Sequence, residues 1–100
     1  MPLFIMSMSW TEKGIKEIRD WTKRMKDARS YAKKVGVKIK DVYLTMGDND
    51  LIAILEAPSV DNVARFALGV GGYGNVRTKT VQAFTEAELS KLVTDLPDQP

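Results

Sequence analysis

Residues 43–58 read Tyr-Leu-Thr-Met-Gly-Asp-Asn-Asp-Leu-Ile-Ala-Ile-Leu-Glu-Ala-Pro, two apolar runs joined by the polar turn Gly47, Asp48, Asn49 and Asp50. Glycine and the Asx residues tolerate the backbone angles a tight reversal needs, and Val42, Leu44, Met46 and then Leu51, Ala53, Leu55 recur at period two. This pattern predicts a β-hairpin of strands at about 37–46 and 50–56, placed in the middle of a sheet.

The flanking segments fix what the hairpin joins. Residues 3–10 pair Phe4, Met6, Met8 and Trp10 on one parity with Leu3, Ile5, Ser7 and Ser9 on the other, a strand buried on both faces at its start and on one at its end. Ser9 or Thr11 is placed to cap a following helix. Its stripe Ile15, Ile18, Trp21, Met25, Ala28, Ala32, Val35 repeats at three or four residues up to the terminator Gly36, with a break allowed near residues 20–22. After the hairpin, Ser59 caps a second helix with Val60, Val63, Ala64 and Ala67 on one side, expected to run to about Leu68, where glycines at 69, 71, 72 and 74 interrupt. Residues 75–84 alternate as a fourth strand. Thr85 and Glu88 then form a capping box for a short helix whose Leu89, Leu92 and Val93 should pack back on the body, and residues 95–100 form a polar tail.

The order β-α-β-β-α-β-α implies an α+β fold: a ferredoxin-like βαββαβ sandwich, antiparallel, with two helices on one face and a short C-terminal helix. One hundred residues suit a single domain over 1–100, and 44% hydrophobic with 28% charged residues is a globular balance. The other sheet face is left bare, so a homodimer through that open face, enclosing a cavity between two sheets, is expected.

Composition excludes much chemistry. With neither Cys nor His in the chain, disulfides, thiolate nucleophiles, histidine bases and Cys/His metal sites are ruled out, and no metal or cofactor is expected. Charge is uneven. The first forty residues hold eleven Lys and Arg against four Asp and Glu, net +7, and the remaining sixty hold four against nine, net −5, which favours self-association or an anionic partner. Nucleic acid is not expected, because the third strand offers no ring to stack a base and the basic residues lie on a helix face. Gly69 to Gly74 matches G-x-G-x-x-G but closes a helix instead of opening one, so it offers no seat for pyrophosphate. No apolar run reaches membrane-spanning length, and the N-terminal segment reads as a strand and not as a secretion signal; the expected location is the cytoplasm.

Trp10-Thr11 with Gly14-Ile15, Arg24 and Ala28, the runs 43–47 and 50–54, Glu56-Ala-Pro58 and 74–78 together resemble the GYD-domain family, nearly end to end. Gly47 and Asp50 match the glycine and aspartate of the eponymous motif, while Asn49 stands where the motif has tyrosine. The resemblance implies a small bacterial or archaeal protein with a ferredoxin-like, dimeric α/β-barrel fold, in a family largely without assigned function.

The candidate site residues follow from this frame. Asp50 and Tyr43 are the groups able to move protons, although Asp48 and Asp50 equally suit plain turn chemistry. Trp10, Thr45, Arg77 and Thr78, with Tyr43, are expected to line a pocket on the open sheet face, Arg77 holding a small anionic or aromatic ligand or pairing with Asp50. The expected function is a small-ligand or protein-binding domain. The alternative is a cofactor-independent enzyme acting on a small carbonyl or phenolic compound in the interface cavity.

Overall fold

A computed structural model describes residues 1–99 of the chain. Four strands, β1 (Leu3–Trp10), β2 (Lys38–Leu44), β3 (Leu51–Glu56) and β4 (Val76–Ala83), form one sheet in the order β2-β3-β1-β4, with every neighbouring pair antiparallel. Helices α1 (Glu12–Lys16), α2 (Trp21–Lys34) and α3 (Val60–Gly72) connect them, a 3-10 turn at Ile18–Asp20 separates α1 from α2, and α4 (Glu86–Thr94) follows β4. The fold is α+β and ferredoxin-like, as the pattern of elements implies.

Register explains the core. Phe4, Met6 and Met8 of β1 stand opposite Leu55, Ala53 and Leu51 of β3, and all six are buried on the helix side with Ala32, Val37, Val63 and Phe66. The opposite parity of each strand faces away from the helices. The hairpin forms at the expected place in the chain, its turn starting at Gly47, whose φ of 132° suits glycine and almost nothing else, but it does not lie in the middle of the sheet: β1 inserts between β3 and β4, which leaves β2 as an edge strand.

Three features differ from the sequence expectation. First, the break allowed near residues 20–22 falls earlier, at residues 17–20, and turns one long helix into α1, the 3-10 turn and α2. Thr11 is the cap: its Oγ1 accepts the Gly14 N–H at 3.1 Å. Second, α3 does not stop at Leu68 but runs through Gly69 and Gly71 to Gly72, because packing of Val63 and Phe66 into the core outweighs the low helix propensity of glycine. Third, α4 forms on its capping box, with the Glu88 N–H donating to Thr85 Oγ1 at 3.1 Å, but it does not pack back on the body. All its residues are exposed, Leu89 and Val93 by more than half. The helix-side layer is already occupied by α2 and α3. The molecule is accordingly long, 55 × 31 × 19 Å, with a radius of gyration of 15.8 Å where about 13 Å is usual for this length. Of the tail at 95–100, Pro100 lies outside the described residues.

Candidate functional site: a cavity between helix layer and sheet, and an uncovered sheet face

Between the helix layer and the sheet lies a cavity of about 270 Å³. Met6, Met8, Leu51 and Val76 form its floor on the sheet. Trp21, Met25 and Ala28 of α2 form one wall, and Phe66 and Val70 of α3 the other. Trp10 closes one end, its ring edge-on to Trp21 with centroids 6.5 Å apart. Two polar groups interrupt this apolar lining. Arg24 spans from α2 to the end of α1, its Nη2 donating to the carbonyls of Gly14 at 3.1 Å and Glu17 at 2.8 Å, where a cation satisfies carbonyls the short helix leaves open. Its Nε is buried and has no partner. Asn75, at the start of β4, accepts the Thr11 N–H on its backbone oxygen, while its side-chain Oδ1 is buried and unpaired.

One corner holds both groups. Gly14 lies so near Asn75 that a methyl group on it would stand 1.9 Å from the Asn75 backbone oxygen, and the same glycine's carbonyl receives the Arg24 guanidinium. Glycine is thus required at 14 for close approach. At the rim, Lys13 donates to the Tyr73 carbonyl at 3.0 Å, and Lys23 stands among Glu17, Asp20 and Asp27.

The residues expected to share one open-face pocket are divided by the sheet. Tyr43 and Arg77 do face away from the helices, Tyr43 opposite Ile52 and Arg77 opposite Ser9, at opposite edges. Trp10 and Thr78 have the other parity: Thr78 stands opposite Met8, and Trp10 opposite Val76 in the cavity. The parity of β1 carries Trp10 with Phe4, Met6 and Met8 to the helix side. Thr45 lies at the hairpin tip, its hydroxyl donating to the Asn49 carbonyl at 2.6 Å. Asp50 does not meet Arg77. Its Oδ2 accepts the Trp10 N–H at 2.9 Å, its own N–H donates to the Met8 carbonyl and its carbonyl accepts from Thr45, so it ties the hairpin tip to the end of β1. Arg24 and Asn75 are not among the site residues the sequence points to, although both lie in the segments that carry the family resemblance. Those segments converge here: Trp10, Thr11, Gly14, Arg24, Ala28 and Asn75 surround one corner of the fold.

The open face is a second feature. Leu3 and Ile5 of β1, Ile52 and Ile54 of β3, Tyr43 of β2 and Val81 of β4 form an apolar field that no element of the described residues covers, Tyr43 being 54% and Val81 61% exposed. Arg77 and Lys79 border it on β4, and Asp41 and Glu56 on the β2 side, Glu56 pairing with Lys40 at 3.6 Å.

The GYD-domain family model matches residues 4–93. The chain belongs to the GYD-domain family. A relative from Thermus thermophilus, "Glutamine synthetase and cystathionine beta-lyase binding protein", is 29% identical over 90 residues, which cover 89% of this chain and 95% of that one. Among solved structures, MtbAldR superposes with a TM-score of 0.65 at 16% identity, over 85% of this chain and 54% of that one. FFRP-DM1 superposes with a TM-score of 0.59 at 17% identity, over 84% of this chain and 100% of that one. These two establish the likeness of fold. No helix of the described residues is long and apolar enough to cross a membrane.

Proposed function

We propose that this GYD domain is a protein-binding module that works in the cytoplasm as a homodimer, its two sheets packed face to face. The observation that carries the reading is the uncovered apolar field of Leu3, Ile5, Ile52, Ile54, Tyr43 and Val81, a contiguous surface of the kind that marks an interface. A two-fold axis along the strand direction sets β4 of one copy over β2 of the other and lays the two apolar fields face to face. The apolar stripe of α4, with Phe84 and Leu96, stays outside that contact and is available to a second protein. The Thermus relative's name supports a metabolic enzyme such as glutamine synthetase as that protein.

Native mass spectrometry tests the dimer: the expected mass is twice the 11.2 kDa of one chain, falling to one chain in Ile54→Lys, which puts a cation in the centre of the apolar field. A wild-type monomer at micromolar concentration refutes it. Binding of purified glutamine synthetase and cystathionine β-lyase to the immobilised domain tests the partner. Leu89→Glu with Val93→Glu on α4 should abolish capture and leave the dimer intact; no binding of either enzyme to the wild type removes that reading.

A further inference from the structure

We propose that the cavity between the helix layer and the sheet is a binding site for a small organic acid with an apolar body and a hydroxyl beside its carboxylate. The site is separate from the sheet face and from α4. Its walls are methionine, tryptophan and aliphatic side chains, so the bulk of the occupant is apolar. Its head group is set by what the protein leaves unpaired. Arg24 gives two hydrogen bonds to backbone carbonyls through Nη2 but, among the described residues, has no carboxylate within ion-pair distance, and its buried Nε–H is left over. A buried donor on an uncompensated cation seeks an anionic acceptor, and a carboxylate matches guanidinium geometry. Asn75 Oδ1, buried in the same corner, needs a donor, which a carboxylate lacks and an adjacent hydroxyl supplies.

Size narrows the class. At the packing density of protein interiors, 270 Å³ accommodates about ten non-hydrogen atoms, a chain of roughly eight carbons with its head group. The rim is electrically balanced, Lys13 and Lys23 with Arg24 against Glu17, Asp20 and Asp27, so selectivity for the anion comes from Arg24 itself and not from the mouth.

The chain carries its own reporter. Trp10 and Trp21 are its two tryptophans, and both line the cavity, so intrinsic fluorescence reads occupancy directly. Titration with 2-hydroxyoctanoate should give a saturable change, with octanoate binding more weakly and octanol more weakly still. Arg24→Met should weaken 2-hydroxyoctanoate by about 10- to 100-fold, the value of a charge-assisted hydrogen bond. Because Arg24 also holds Gly14 and Glu17, Ala28→Leu is the companion variant: it fills the cavity from the α2 wall, removes no polar group, and should abolish the fluorescence response while the melting temperature is kept. No saturable response at millimolar ligand overturns the proposal. So does equal binding of the three compounds, or a response that survives Ala28→Leu in a folded protein.

Discussion

Gly69 and Gly71 stand two residues apart in α3, and substituting alanine at each should move stability in opposite directions. Alanine gains up to about 1 kcal/mol over glycine inside a helix, so where the new methyl meets nothing the exchange stabilises. That is the case at Gly71, where a Cβ would have no atom within 4 Å beyond its own stretch of helix. At Gly69 the methyl would stand 2.2 Å from Cε2 of Tyr31 and 2.3 Å from its hydroxyl oxygen. The ring cannot step aside freely, because its hydroxyl donates to the Arg65 carbonyl at 3.3 Å and its face stacks on Phe66 with centroids 6.3 Å apart. Displacing it forfeits about 1 kcal/mol of hydrogen bond and about 1 kcal/mol of aromatic contact, so Gly69→Ala should lie about 2 kcal/mol below Gly71→Ala. In a domain of this size that separates the two melting temperatures by about 8–16 °C, readable by circular dichroism, with urea denaturation giving the free energies. In a Tyr31→Ala background the obstacle is gone and Gly69→Ala should stabilise as Gly71→Ala does, a coupling of about 2 kcal/mol in the double-mutant cycle. Equal effects of the two alanines in the wild-type background, or zero coupling to Tyr31, would refute the reasoning.

Other substitutions have equally definite expectations. Asp50→Ala, which leaves the Trp10 N–H without its acceptor, should cost about 2 kcal/mol in urea denaturation, whereas Asp50→Asn keeps an acceptor and should cost less than about 1; equal costs would show that the carboxylate does not hold β1. Gly14→Ala drives a methyl into the Asn75 backbone and should destabilise by about 3 kcal/mol, with a raised amide exchange rate at Thr11, whose N–H bonds that same Asn75 carbonyl. Leu55→Ala empties a position of β3 that is 0% exposed and should cost about 2–5 kcal/mol, against less than about 0.5 for Leu92→Ala on α4 in the monomeric Ile54→Lys background. A larger Leu92 effect there would mean that α4 packs on its own chain.

The elements of the fold were legible because their signals are local. The alternation in 42–46 and 51–55 and the capping residues Thr11, Ser59 and Thr85 act within a few positions of themselves, and their elements form there, although β2 ends at Leu44 and leaves Met46 exposed beyond it. The end of α3 departs from its local signal for a non-local reason: its glycines argue for a stop, and burial of Val63 and Phe66 against the sheet overrides them. The stripe of α4 departs likewise, since an apolar face in sequence announces that something covers it and not what does.

The candidate site shows the same division. Residue types, the lack of Cys and His, and the segments around Trp10, Arg24 and Asn75 are properties of the sequence, and the missing thiol and imidazole exclude whole classes of chemistry whatever the fold. Which residues meet is a matter of strand parity and register. A shift of one position in β1 would send Trp10 to the open face to join Tyr43 and Arg77; the actual pairing of Met8 with Leu51 and Thr78 sends it to the cavity instead. Likewise Arg24 and Asn75, 51 positions apart in the chain, share a corner because Gly14 lets two backbones touch there. Short-range energetics set the elements from sequence alone, whereas the cavity, its unpaired donor and acceptor and the uncovered sheet face arise from contacts between distant segments, which exist only once the sheet has closed on its helices.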